Sequence, residues 1–134
     1  MTKLTEIEGI GPSYAAKLQA AGIGTQEALL SHCCRPSGRK RLAKESGISE
    51  KQILAFVNRA DLARVRGIGE EYADLLEHCG VDTVKALARR NAQNLVMRMN
   101  DLNAQRRLVR AVPSETAVTN WIKQARDLPR GIHY

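Results

Sequence analysis

Apolar positions along the chain recur at helical spacing, and the elements they predict come in two copies. Residues 7–18, IEGIGPSYAAKL, and residues 65–76, VRGIGEEYADLL, share one order of apolar and polar positions. Gly9, Ile10, Gly11, Tyr14, Ala15 and Leu18 fall on Gly67, Ile68, Gly69, Tyr72, Ala73 and Leu76, each 58 residues on. In the first copy, residues 4–7 predict a short opening helix and Gly-Ile-Gly predicts a turn. Tyr14, Ala15 and Leu18 then line one face of the next helix. Pro12 suits the first helical position, where a missing N–H costs nothing. Gly22 stops that helix and Ile23 closes over it. Thr25 and Thr83 are N-cap candidates for the helices that follow. A further helix is predicted over 36–46, ended by Gly47. Ser49, with Gln52 three residues on, has the capping-box pattern that opens the last helix. No alternation of strand period appears.

The correspondence extends past the glycines. Gly22-Ile23, Thr25 and Ala28-Leu29 align with Gly80-Val81, Thr83 and Ala86-Leu87 at the same offset. SEKQILAFVNRA at 49–60 aligns with SETAVTNWIKQA at 114–125, now offset by 65, which sets Phe56 on Trp121 and Val57 on Ile122. The second copy therefore gained the difference, seven residues, between its glycine turn and its last helix. This is an internal duplication. The expected fold is all-α, with two tandem units of about five short helices each, residues 1–60 and 61–134. They are expected to pack as one globule, because VNRADLARV at 57–65 joins them without a Gly-, Ser- or Pro-rich linker.

Composition narrows the class. Hydrophobic residues make up 43% of the 134 residues but aromatics only 4%, so Leu, Ile, Val and Ala must fill the interior. No apolar run approaches the roughly 20 residues of a membrane span, and MTKLTEIEG lacks the apolar core of a signal peptide. A cytoplasmic location is expected, with no membrane partner. Three cysteines, an odd number, point to reduced thiols rather than a disulfide framework. His32-Cys33-Cys34 and His78-Cys79 are adjacent residues, not the spaced pairs that structural zinc takes, so neither a metal nor another cofactor is expected. The net charge is +7, split as +3 over residues 1–58 and +4 over 59–134. An excess spread over both copies suits a polyanionic partner and also suits plain solubility.

The turn has its own chemistry. Glycines let two backbones approach closely and let one residue take φ > 0, and the middle Ile anchors inward. A β-branched residue at Gly11 or Gly69 is expected to strain it. The turn also aims backbone N–H groups outward at a helix start, where the dipole favours an anion. These residues resemble the helix-hairpin-helix motif of DNA repair, replication and recombination proteins. That resemblance implies binding to the DNA backbone through the hairpin amides, without sequence preference. The whole chain is similar to a family of uncharacterised bacterial proteins that carry two such hairpins. DLARVRGIGEEYADLLEHCGVDTVKAL and WIKQARDLP bear that closer resemblance, which implies the fold and no activity.

Departures from the motif bear on each hairpin. After the second glycine a phosphate-binding hairpin would carry Lys, Arg, Ser or Thr. Hairpin one offers Gly9, Ile10, Gly11, Ser13 and Lys17, with Glu6 and Glu8 preceding it. Hairpin two offers Arg64, Arg66, Gly67 and Gly69, but Glu70 and Glu71 follow directly and would repel a phosphate from the helix start. Hairpin two therefore reads as structural and hairpin one stays open to either reading. Tyr14 and Tyr72 read as packing residues with wet hydroxyls rather than base-stacking platforms. The densest basic cluster is RPSGRKRLAK, with Arg35, Arg39, Lys40, Arg41 and Lys44 and no acid. It is expected to be exposed, either as a solvated helix face or as a patch that tracks phosphates. Arg98, Arg106, Arg107 and Arg110 form a second collection, mixed with apolar Leu108, Val109 and Val112. That stretch equally suits an apolar face for a partner.

An enzyme is not expected. Helix-hairpin-helix glycosylases place a catalytic Lys two residues after the second glycine, where this chain has Ser13 and Glu71. No Lys is marked for Schiff-base chemistry, no His has a partnered nucleophile, and GIGPSYAAK lacks a Walker ending. The expected function is a non-catalytic, non-sequence-specific module for nucleic-acid backbones, DNA first and RNA second. The alternatives are a protein-interaction or scaffold module that keeps the hairpin for its geometry, and a small lyase or nuclease accessory.

Overall fold

The computed structural model describes residues 2–7 and 9–134. Among them the chain is all-helical, and the one β-type pairing is an isolated antiparallel bridge between Lys3 and Thr25. No helix among the described residues is long and apolar enough to cross a membrane. The chain divides into two compact units. One runs up to Asp61 and takes in the returning segment Arg130–Tyr134, and the other is Leu62–Pro129.

The first unit opens with a 3-10 turn, Leu4–Glu6, followed by α1 (Pro12–Ala20), α2 (Gln26–Cys33), α3 (Pro36–Ser46) and α4 (Glu50–Leu62). Local chemistry explains each boundary. The Thr25 hydroxyl accepts from the Ala28 amide and the Ser49 hydroxyl from the Gln52 amide, so the expected caps start α2 and α4. Gly47, with φ 76°, ends α3 at the predicted residue. Leu18, Leu29, Ile53 and Val57 are fully shielded from solvent and form the core with Phe56 and Cys33. Helix α3 crosses α2 at Gly38, where an added methyl would overlap the His32 carbonyl. Ile132 of the returning segment is buried in this same core, and the His133 amide donates to the Cys34 carbonyl over 2.6 Å.

The second unit holds α5 (Glu70–His78), α6 (Val84–Ala88), α7 (Ala92–Arg106) and α8 (Glu115–Asp127). Thr83 caps α6, Asn91 caps α7 and Ser114 caps α8. Instead of a separate opening helix, α4 runs on to Leu62 and the chain then takes two tight turns. The Val65 amide donates to Leu62 and the Ile68 amide to Val65, which buries all three side chains. The first unit makes the same pair of turns, Ile7 to Leu4 and Ile10 to Ile7, so the duplication reaches back to residues 4 and 62. The inserted residues went into α7, 15 residues against 11 for α3, and into the loop 107–113 behind it.

Candidate nucleic-acid interface

Each Gly-Ile-Gly turn assigns different work to its two glycines. Gly9 and Gly67 have φ of 94° and 100°, a region that L side chains rarely adopt. Gly11 and Gly69 have φ of −86° and −89° with extended ψ, and a Cβ added to either meets nothing within 4 Å. The expectation of strain at Gly11 and Gly69 is therefore corrected: the left-handed residue is the first glycine of each turn. That glycine also faces the aromatic ring of the unit's last helix. A Cβ on Gly9 would lie 3.5 Å from Phe56 Cε1, and one on Gly67 only 2.7 Å from Trp121 Nε1. The tyrosine of each turn completes the stack. Tyr14 meets Phe56 edge-on at 5.4 Å and Tyr72 meets Trp121 at 5.3 Å. Both tyrosines are half-buried, and the Tyr72 hydroxyl donates to the Ala111 carbonyl.

Ile10 and Ile68 are buried and anchor the turns from beneath. What the turns present outward differs. Helices α1 and α5 begin at Gly11 and Gly69 without a side-chain cap, and so does α3 at Arg35. In the first unit Gly9, Gly11, Ser13 and Lys17 are all exposed around that start. Pro12 has no N–H, so the Ser13 and Tyr14 amides are the first donors of α1. Lys17 Nζ sits 5.7 Å from the Tyr14 ring centre, a cation–π distance that holds the ammonium beside the turn. Glu6 is exposed, and Glu8 lies outside the described residues.

In the second unit Gly67 and Gly69 are again exposed, but Glu70 and Glu71 occupy the first turn of α5 and set their carboxylates against its dipole. The segment before the turn is clamped. Gln124 accepts from the Arg66 amide over 2.8 Å and donates to the Arg66 carbonyl over 3.1 Å. Arg66 itself projects from the surface. Arg64 is half-buried and donates to the Pro129 carbonyl over 2.9 Å, so it ties the two ends of the unit together.

The basic cluster on α3 does not present all its charges. Lys40, Arg41 and Lys44 are exposed, as is Arg35 before the helix. Arg39 is only 6% exposed, and its guanidinium donates to the Cys33 carbonyl over 3.0 Å and the His133 carbonyl over 2.9 Å. The expectation that Arg39 faces solvent is corrected. It stands three residues before buried Leu42, and that helical spacing was the signal that it points inward. There the guanidinium supplies donors to two main-chain carbonyls, one at the end of α2 and one in the returning segment.

Two of the three thiols, Cys33 and Cys79, are buried and held in the unreactive protonated form. Burial pushes Cys33 up to about 11 and Cys79 above its ordinary range, while half-buried Cys34 donates to the Ser31 carbonyl. Among the described residues no three His, Cys, Asp or Glu side chains are grouped to hold a metal ion.

Duplicated glycine turns, aromatic stacks behind them and an uncapped helix start beside each define a small all-helical repeat protein. Within that class, the chain belongs to the family described as Domain of unknown function (DUF4332), whose model matches residues 8–128. No curated protein and no solved structure matches it.

Proposed function

We propose that this protein is a non-catalytic module that grips nucleic-acid backbones without reading sequence, through a helix-hairpin-helix in its first unit. DNA is the intended partner and RNA the alternative, in the cytoplasm, where the three thiols stay reduced. The observation that carries the reading is the start of α1. Ile10 is buried, Gly11 and Ser13 are exposed, no side chain caps the amides, and Lys17 stands one turn on. The helices α2, α4, α6, α7 and α8 spend a Ser, Thr or Asn side chain on the same groups. Amides left open in this way, with the helix dipole behind them, suit a phosphate. Lys40, Arg41 and Lys44 on α3 supply further phosphate contacts, and the net charge of +7 favours the encounter. Hairpin two keeps the same geometry for structure, because Glu70 and Glu71 already occupy its anion position.

The test is fluorescence anisotropy with duplex, single-stranded and branched DNA and with RNA of arbitrary sequence, over a range of salt. Lys40→Glu with Arg41→Glu and Lys44→Glu should weaken binding to every sequence about equally, since groups that meet only phosphates carry no base information. The logarithmic salt slope should flatten by about 0.9 for each duplex phosphate that the variant no longer neutralises. Glu70→Lys with Glu71→Lys should tighten binding where hairpin two lies near the backbone. A wild-type protein that ignores all four ligands at low salt leaves the protein-interaction reading in its place.

A further inference from the structure

The insertion that distinguishes the second unit walls a cleft of about 680 Å³. Helix α7 contributes Ala104 and its C-terminal neighbour Arg107, the loop contributes Leu108, Arg110 and Val112, and α5 contributes Glu71. The loop is held in place rather than left free. Asn103 donates to the Val109 carbonyl and accepts from the Val109 amide, at 3.1 and 3.0 Å, and Val109 is buried in the core. Met97 stands two helical turns before Ala104 on the same side of α7 and is 59% exposed. Asn100, which lines the cleft, and exposed Asp101 stand between the two, so the apolar seat itself is Ala104, Leu108 and Val112.

We propose that this cleft docks a short segment of a protein partner in which carboxylates alternate with apolar side chains. Three features select that occupant. Arg107 and Arg110 place two guanidinium forks against a single carboxylate, a balance that favours acidic groups, and the fork matches a carboxylate through paired hydrogen bonds. Leu108, Val112 and Ala104 give the apolar anchors a seat. Glu71 disfavours a phosphate backbone but accepts from peptide N–H groups, and no aromatic ring lines the cleft to stack a base. A loop already pinned by Asn103 reduces the ordering that docking requires. This inference does not rest on the nucleic-acid reading, since it uses other residues in the other unit.

The test titrates the full-length, isotope-labelled protein with a library of short peptides randomised among Asp, Glu, Leu, Ile and Phe. A matching library carries Lys in place of the acids. The acidic library should shift the amides of Ala104, Leu108, Arg110 and Val112, and the Lys library should not. Arg110→Glu should weaken the effect by about tenfold, the loss of roughly one charge-assisted hydrogen bond. Arg107→Gly should act likewise without unfolding the loop, because Arg107 has φ 49° and glycine accepts that backbone readily. Lys40→Glu with Arg41→Glu should leave the shifts unchanged, which separates this site from the proposed nucleic-acid surface. Equal response to both libraries, or no response at these amides, would overturn the proposal. So would a response to oligothymidylate alone, or concentration-dependent shifts in the free protein that mark a second copy as the occupant.

Discussion

Replacing Gly67 with alanine should destabilise the second unit far more than the same change two residues later at Gly69. At Gly67 two costs combine. Alanine in the left-handed region costs about 1–2 kcal/mol. Its Cβ would also lie 2.7 Å from Trp121 Nε1, well inside van der Waals distance, on an indole that is 4% exposed and packed against Tyr72. Forcing extra volume into such a site costs about 1–3 kcal/mol. Gly67→Ala should therefore lose about 3 kcal/mol in all. At Gly69 the backbone is extended and the space beside it open. There alanine restricts the unfolded chain, a gain of about 0.4–1 kcal/mol. A weaker N-cap offsets that gain, so the net change should be near zero. Trp121 is the only tryptophan and lies in the turn's own stack, so its emission during urea unfolding reports this unit directly. Trp121→Phe reproduces the first unit's Gly9–Phe56 pairing, where the corresponding distance is an ordinary 3.5 Å. Combined with Gly67→Ala it should recover the overpacking share and leave the backbone share, a coupling of about 1 kcal/mol or more. Equal losses at Gly67 and Gly69, or independence of the two changes at 67 and 121, would refute this account of the turn.

Other outcomes follow from the same packing and hydrogen bonds. Arg39→Ala should lower stability by about 2–3 kcal/mol in a thermal melt, because the Cys33 and His133 carbonyls lose a charged donor, whereas Lys40→Ala should leave the melt unchanged. The Thr2 hydroxyl, and next the Thr2 amide, hold Glu27 down from 4.5 to about 2. A carboxylate depressed on folding stabilises above its unfolded value, so this contribution should be complete above pH 4.5 and vanish as the pH falls toward 2. The pair is exposed and screened, which keeps it below about 1 kcal/mol, and Glu27→Gln should remove that part of the acid titration of stability. Iodoacetamide should modify Cys34 in the native protein and leave Cys33 and Cys79 for the denatured chain, as read by mass spectrometry.

Much of the fold was legible in the sequence because its signals are local. Thr25, Thr83 and Ser49 could be named as caps since a cap bonds an amide three residues away, and the helix predicted over 36–46 was given its stop by Gly47. The equivalence of Phe56 and Trp121 in the two copies followed from the repeat alignment alone. The candidate site was less legible. Lys40, Arg41 and Lys44 stand exposed as expected, but Arg39 in the same basic run does not.

The sequence by itself determined the all-helical character, the duplication and the placement of the helix starts and stops, because hydrophobic period and capping act over three or four residues. Tertiary structure alone decided that the first glycine of each turn, Gly9 or Gly67, lies against the aromatic ring of its unit's last helix. It decided the burial of Arg39, whose second acceptor is the carbonyl of a residue 94 positions away. It decided too that Ile132 returns to the first unit's core and that the inserted arginines wall a cleft. Burial is a property of packing between distant segments, and no short window of residues contains both partners.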